Sequence, residues 1–253
     1  WARRVEEFYR PTAQTLLPKA GESGILFDMQ EIVTRACILL LVIALGYVLR
    51  RTGFLPESAF AVVSRVVLNV TLPCAVMTNF AHMEASGALL WLFPLGFLCN
   101  VLFVSLGYLA GRRRGRQEQV FCMLNFSGYN IGCFALPYVS SLLGPTAVVS
   151  ACLFDAGNAI WATGGTNAVC AALQEGGRLR LGPTLKRLAR SVTILAYLIM
   201  LLLAVLRVRL PGPVLEFAEL VGSANSFLAM LMLGLGMNLD IRREQLRWIG
   251  RAV

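Results

Sequence analysis

The residues best suited to chemistry are concentrated in one stretch, residues 125–158, within a strongly apolar part of the chain. Asn130, Gly132 and Pro137 lie in its first half, and Asp155 lies in its second half. Glycine and proline interrupt the helical hydrogen-bond ladder, and a buried carboxylate or amide is costly unless it has a partner. Unwound backbone at membrane depth is tolerated only where it is packed in protein or lines a wet cavity. We therefore predict a polar binding site in this stretch.

Asp155 is the acidic residue that lies deepest in an apolar run, because Glu216 and Glu219 fall near the start of a later run. An ionisable residue at such depth is by default a candidate functional group. Desolvation favours a neutral carboxyl, which suits reversible protonation, so we assign Asp155 to coupling with H⁺ or Na⁺. The alternative is that Asp155 stays protonated and hydrogen-bonds Asn158, which shares its helical face, or a neighbouring broken helix.

Two other apolar runs also carry a polar break at their centre. Pro73 opens the backbone of one run, and Asn69, four residues earlier, is predicted to share its face. Asn225 has a comparable place in the later run. The alternatives are a simple kink at Pro73 and hydrogen bonds between helices from the two asparagines. The predicted substrate-binding residues are Asn69, Pro73, Asn130, Gly132, Pro137, Asn158 and Asn225.

A broken helix can bind charged groups of a ligand in two ways. The N-terminus of a half-helix presents free N–H groups and a partial positive charge, which suit a carboxylate. The carbonyls freed at the end of the other half-helix suit a cation or a protonated group. The alternative is that the glycines and the proline only form a kink and bind no ligand.

The composition is that of an all-α polytopic membrane protein. The chain is 57% hydrophobic and only 15% charged, whereas a soluble domain carries about 25% charged residues. The net charge of +9 comes from arginines between apolar runs, which predicts membrane orientation and lipid contact, with no nucleic acid as partner. The seven cysteines lie in apolar runs without metal-ligand spacing, and His82 is the single histidine, so we expect no metal and no cofactor.

Seven spans and the start of an eighth at Trp248 are predicted. The seven cover about 31–48, 58–80, 89–110, 120–143, 147–173, a segment that ends near 206, and 214–238. Loops after spans one, three, five and seven carry 2, 4, 5 and 3 Lys or Arg, and those after two, four and six carry 0, 0 and 2. This bias predicts that the odd-numbered loops are cytoplasmic and that the Met29 end is outside.

The chain divides into three predicted segments. Residues 1–28 have mixed charge and no signal-peptide pattern, so we expect a non-native or disordered extension before Met29. The polar breaks restart after the fifth span, which predicts a first repeat at 29–174 and an incomplete second repeat at 175–253. A repeated unit of five spans must insert in opposite orientations, and inverted repeats with paired broken helices are common in secondary transporters. A second broken helix is then expected beyond Val253.

Five motifs, in chain order, resemble those of the auxin efflux carrier (AEC) family of bacterial organic-acid transporters and plant auxin carriers. The motifs are GYVLRRTGFLP (46–56), VLNVTLPC (67–74), Asn130-Ile131-Gly132 followed by Pro137, LFDAGN (153–158) and LMLGLGMNL (231–239). The resemblance implies ten spans in two inverted repeats, whose fourth and ninth helices cross at their breaks. Ala135 departs from the pattern, because the family often has a glycine there.

The resemblance implies a secondary active transporter in the bacterial cytoplasmic membrane. It would move a small organic anion such as malate, malonate or an auxin-like acid by alternating access, with a homodimer as one option. The alternatives are a sodium-coupled carrier similar to bile-acid symporters, and a non-transporting receptor or regulatory module. An enzyme is not expected, because the sequence has no HExxH motif, no Ser/His dyad and no pair of intramembrane aspartates, and it has no nucleotide-binding loop.

Overall fold

The computed structural model describes residues 22–81, 87–175, 181–206 and 208–238, and every regular element within them is helical. The helices are α1 (Glu22–Arg51), α2 (Ala59–Ala81), α3 (Ala88–Gly111), α4 (Arg116–Phe126), α5 (Ile131–Leu142), α6 (145–174), α7 (Leu181–Arg190), α8 (Val192–Leu206) and α9 (Gly212–Gly236). His82 and the eighth span predicted at Trp248 lie outside the described residues. The chain is an all-α polytopic membrane protein.

Four of the described helices are long and apolar enough to cross a membrane: α1 over Gln30–Arg51, α2, α3 and α9. Two bent pairs raise the number to six when each pair counts as one span. The pair α4 and α5 is bent by 40°, and the pair α7 and α8 by 76°. The interruption predicted in the fourth span is therefore confirmed.

The predicted fifth span, α6, is not among the helices that hydropathy identifies. It has 30 residues, enough to extend about 45 Å, more than the thickness of a bilayer core. Its middle is polar, and it packs against α3, α5, α8 and the second half of α2. A helix enclosed by protein needs little lipid-facing apolar surface, so its hydropathy is low even though it runs through the bundle.

Helix α1 begins at Glu22, inside the segment 1–28 that we predicted to be a non-native or disordered extension. Residues 22–28 contain no proline, and a helix already nucleated in a span propagates into such residues at little cost. The helix therefore begins before the first span, which we predicted from about residue 31. Residues 1–21 lie outside the described part of the chain.

Glycines set the closest helix contacts in the bundle. Gly46 of α1 faces Gly234 of α9, and a Cβ on either would collide with backbone of the other helix. Gly96 of α3 and Gly157 of α6 form the same kind of contact. A Cβ on Gly96 would collide with the Phe154 carbonyl, and a Cβ on Gly157 would collide with the Phe93 carbonyl. Small residues let backbones approach in membranes. The second contact brings the neighbouring polar residues of α3 and α6 within hydrogen-bond reach.

Both predicted polar breaks outside the fourth span have a structural counterpart. Helix α2 contains a π-helical turn at Val67–Thr71, two residues before Pro73. Proline has no N–H and its ring clashes with the carbonyl four residues earlier, so the extra residue of a π turn relieves the local crowding. Helix α9 is interrupted by a turn residue at Ala224, directly before Asn225.

Candidate functional site

The candidate site is built around the non-helical segment between α4 and α5. Ser127 is extended, with φ −112° and ψ 168°, and Gly128 has a φ of 77°. A positive φ is strained for residues with a Cβ, which explains the glycine. The non-helical segment ends at Asn130. The Asn130 carbonyl accepts hydrogen bonds from the N–H groups of Phe134 and Ala135, both at 3.2 Å.

Two asparagines replace the helical hydrogen bonds that this segment lacks. The Asn158 carboxamide accepts from the Tyr129 N–H at 3.1 Å and donates to the Tyr129 carbonyl at 2.7 Å. Asn100 accepts from the Gly128 N–H at 2.9 Å and donates to Asn158 Oδ1 at 3.1 Å. Asn100 is fully buried and Asn158 is 1% exposed. Buried backbone groups require such partners, so the pair fixes the path of the break.

The Asp155 carboxylate lies beside the start of α5 and has three hydrogen-bond donors. Its Oδ1 accepts from Asn158 Nδ2 at 2.8 Å, and its Oδ2 accepts from the Tyr197 hydroxyl at 2.6 Å. The backbone N–H of Gly132, in the first turn of α5, is the third donor. A Cβ on Gly132 would lie 2.9 Å from Oδ2, so only glycine leaves this approach open. The negative group therefore meets the positive end of a half-helix.

Asp155 forms no salt bridge with a cation of the described residues. The carboxyl is 5% exposed, and its surroundings are hydrogen-bond donors. A tyrosine hydroxyl can either donate or accept. Tyr197 can therefore serve the deprotonated carboxylate as donor and the protonated carboxyl as acceptor, without movement of a helix.

A cleft of about 240 Å³ lies between α2, α5 and α9. The polar residues that line it are Thr78, Asn79, Ser140, Glu219, Ser223, Asn225 and Ser226, and Pro137 lies at its wall. Asn79 Nδ2 is 3.8 Å from the sulfur of Cys152, which lies one helical turn before Asp155. Asn79 therefore links the wall of the cleft to the helix that carries Asp155.

The predicted site residues separate into those that the structure brings together and those that it does not. Gly132, Asp155 and Asn158 form one cluster. Asn225 is 3% exposed and accepts from the Thr71 hydroxyl at 3.0 Å; it lines the cleft with Pro137. Pro73 is buried in α2 beside this group.

Asn69 and Asn130 do not join either group through their side chains. Asn69 is exposed and donates to the Arg65 carbonyl of its own helix at 2.8 Å. The predicted face was wrong because the π turn inserts an extra residue between Asn69 and Pro73, which rotates Asn69 away. The Asn130 side chain is also exposed, and this residue contributes to the break through its backbone.

Sequence reasoning missed Asn100, Tyr197, Thr71 and Asn79. Asn100 is a lone amide in an apolar run, four residues after Gly96, and this pattern is itself a signal of burial with a partner. Tyr197 gave no such signal, because a tyrosine in a span is ordinary and its partner is 42 residues away.

Metal binding has no support in the part of the chain that the structure describes, where no group of three His, Cys, Asp or Glu residues could hold an ion. All seven cysteines are free, and four of them, Cys74, Cys133, Cys152 and Cys170, are buried. They pack as small apolar side chains.

A helical bundle with a discontinuous span and a buried carboxylate at the discontinuity defines a class of membrane proteins that includes many secondary carriers. The chain belongs to the family described as "Membrane transport protein", the auxin efflux carrier family, which matches residues 31–175. The family is one of membrane transporters. The matched region contains the whole break and Asp155, but not Tyr197 or Asn225.

A curated relative supports the same assignment. The chain is 29% identical over 128 residues to an uncharacterized transporter of Methanothermobacter thermautotrophicus, a match that covers 49% of this chain and 42% of the relative. The chain thus spans less than half the length of that relative. No solved structure matches the chain.

Proposed function

We propose that this chain forms part of a secondary active transporter that moves a small organic anion by alternating access, with Asp155 as the coupling residue. The observation that carries the proposal is the Asp155 carboxylate at the N-terminal end of α5, held by the Gly132 N–H and the Tyr197 hydroxyl. An ionisable group at a break in a membrane helix is the arrangement that an ion-coupled carrier requires.

Protonation of Asp155 changes which charged group can bind at the start of α5. When the carboxylate is charged, it satisfies the free N–H and the positive end of the half-helix. When it is protonated, this negative charge is gone, and a substrate carboxylate can approach the same end with less repulsion. The anion and the proton would then cross together, which makes symport the mode of coupling.

The cleft between α2, α5 and α9 is the proposed route to this position. Its amides and hydroxyls, among them Asn79, Asn225 and Ser140, can donate to a carboxylate. Its volume of about 240 Å³ matches a small anion such as malonate, malate or an auxin-like acid better than a bulky lipid or peptide. Pro137 and Asn225 are the predicted substrate-binding residues that we place in this cleft.

Proton coupling is favoured over the sodium-coupled alternative by the direction of the hydrogen bonds. The oxygen atoms of Asp155 and Asn158 face donors from Tyr197, Gly132, Asn100 and the Tyr129 backbone. A sodium ion needs several oxygen ligands directed at it, and a set of oxygens already engaged by N–H and O–H groups offers none in this conformation.

The proposal is tested by uptake of labelled malate, malonate and indole-3-acetate into proteoliposomes that contain the full-length protein. Uptake is driven in separate experiments by a pH gradient and by a Na⁺ gradient. We expect the pH gradient to drive uptake of at least one acid, and D155N to reduce that uptake more than tenfold. E216Q is the matched control, because it makes the same carboxyl-to-amide change at an exposed position of α9. Unchanged uptake and pH dependence in D155N would remove the coupling role.

We further propose a two-repeat organisation in the bacterial cytoplasmic membrane. The first repeat would cover 29–174 and residues 175–253 would belong to the second repeat, with the Met29 end outside. The support is the distribution of basic residues in the loops and the polar breaks in α2 and α9.

A further inference from the structure

Helix α7 is oriented unlike the spans around it. It is bent by 76° relative to α8, with the break at Ser191. Helix α8 is a mostly apolar segment of 15 residues, with Thr193 and Tyr197 as its polar side chains, and this composition favours a path through the membrane. A helix that continues it at such an angle lies close to the plane of the membrane surface.

The sequence of α7 separates apolar from basic residues. Leu185 and Leu188 lie three residues apart on one side, whereas Lys186, Arg187 and Arg190 share the opposite side. Leu188 packs against the hydrophobic core of the bundle, and Leu185 is 67% exposed. This division is typical of a helix at the boundary between acyl chains and headgroups.

The basic side of α7 faces a cavity of about 520 Å³ beside the π-helical turn of α6 at Trp161–Gly165. Thr163, Pro183, Lys186, Arg187, Arg190 and Ser191 line it. The Arg187 side chain lies over Gly164, where a Cβ would be 3.4 Å from its Cδ. None of the three cations forms a salt bridge with a carboxylate of the described residues. The N-terminus of α8, which begins at Val192, adds a partial positive charge at the same place.

We propose that this cavity binds the phosphate headgroup of an anionic phospholipid. Three cations and two hydroxyl groups supply the donors that a phosphate needs. The position at the membrane surface and the exposed Leu185 beside the cavity favour a ligand with acyl chains over a soluble anion. Such a lipid would join α7 to α6 and hold the start of α8, which carries Tyr197 less than two turns further on.

The test is lipid binding to the delipidated full-length protein in a mild detergent, measured by native mass spectrometry. Phosphatidylglycerol and phosphatidylcholine with identical acyl chains are titrated separately. A basic residue near a membrane surface contributes about fivefold to the affinity for anionic lipid, so three contribute on the order of 100-fold at low ionic strength. We expect the wild type to prefer phosphatidylglycerol at least tenfold.

The matched variants each remove three positive charges. K186Q/R187Q/R190Q changes the cavity, and R112Q/R113Q/R114Q changes the basic loop after α3. We expect the first to abolish the preference for phosphatidylglycerol and the second to keep it. An equal loss of the preference for phosphatidylglycerol in both variants would overturn the proposal. A wild type that does not prefer phosphatidylglycerol would also overturn it, and this measurement does not depend on the folding of a variant. Inorganic phosphate that displaces the lipid at equal concentration would assign the cavity to a soluble anion and would also overturn it.

Discussion

At the scale of single residues, the Asp155 cluster has two chemical roles that the same side chains perform together. Asn158 and Asn100 stabilise the broken backbone at Gly128 and Tyr129. Asn158 also donates to Asp155. The hydrogen bond between Asp155 and Asn158 is also part of the alternative that we gave for Asp155. The same amide connects the break to the carboxylate, so the structure of the break and the proposed coupling depend on one residue.

Asn158→Ala tests the structural half of this account. The substitution leaves the Tyr129 N–H and carbonyl without their side-chain partner, at a cost of about 1–3 kcal/mol for each buried group left unsatisfied. We expect a clear fall in the midpoint of thermal unfolding in detergent. Asn125→Ala is the control, because Asn125 is exposed and bonds only its own helix at Phe121. Equal midpoints for the two variants would contradict the role of Asn158.

Tyr197→Phe tests the hydroxyl that faces Asp155. The ring stays in place, since its edge contact with Phe80 at 6.4 Å does not involve the hydroxyl. A hydrogen bond to a charged group contributes about 1.5–3 kcal/mol, so we expect reduced thermal stability and a changed pH profile of uptake. The control is Tyr108→Phe at an exposed position of α3. A pH profile identical to that of the wild type would show that Tyr197 does not act on the carboxyl.

At the scale of helices, the site depends on close backbone contact between α3 and α6. Gly96 and Gly157 allow that contact, and Asn100 and Asn158 lie within four residues of them. The amide pair can form only because the two backbones approach this closely. The geometry of the break in one span is thus determined by the packing of two others.

Gly157→Ala tests this dependence. Its Cβ would collide with the Phe93 carbonyl and would lie 2.7 Å from the Phe97 N, so α3 and α6 must separate. Overpacking of this kind costs about 1–3 kcal/mol, and we expect lower thermal stability and reduced uptake. Gly144→Ala is the control, because a Cβ at that position meets nothing within 4 Å. Full activity and stability in Gly157→Ala would contradict the packing argument.

The helical breaks were largely predictable from the sequence, but the faces of the helices were not. Gly132 and Pro137 predicted the broken fourth span, and Pro73 predicted the disturbance in α2. The helical face predicted for Asn69 was wrong because a π turn changes the helical phase. No residue pattern in the sequence predicts such a turn. Tyr197 could not be paired with Asp155 either, because tertiary packing, rather than spacing in the chain, brings α8 against α6.

At the scale of the whole molecule, the distribution of basic residues predicts the orientation of the bundle. Arg112, Arg113 and Arg114 follow α3, whereas the loop between α5 and α6 at Leu143 and Gly144 is uncharged. Positive-inside bias predicts that the first loop is cytoplasmic and the second is outside. In this proposed orientation the cleft would open to the outside, and the proposed lipid cavity beside α7 would face the cytoplasmic leaflet, which is rich in anionic lipid.

Cysteine labelling in intact cells tests this orientation. A membrane-impermeant maleimide should label Gly144→Cys without permeabilisation, and Arg113→Cys only after it. The unmodified chain, with its seven native cysteines, gives the background. The reverse pattern would place the cleft on the cytoplasmic side.

The central claim is that Asp155 carries the coupled proton, and proton flux measures it most directly. Proteoliposomes with the full-length protein and an internal pH-sensitive dye are given an inward gradient of a transported acid, and the flux of acid and of protons is recorded together. We expect protons to enter with the anion in the wild type and in E216Q, and proton entry to be lost in D155N. Proton entry that still accompanies the anion in D155N would contradict the account.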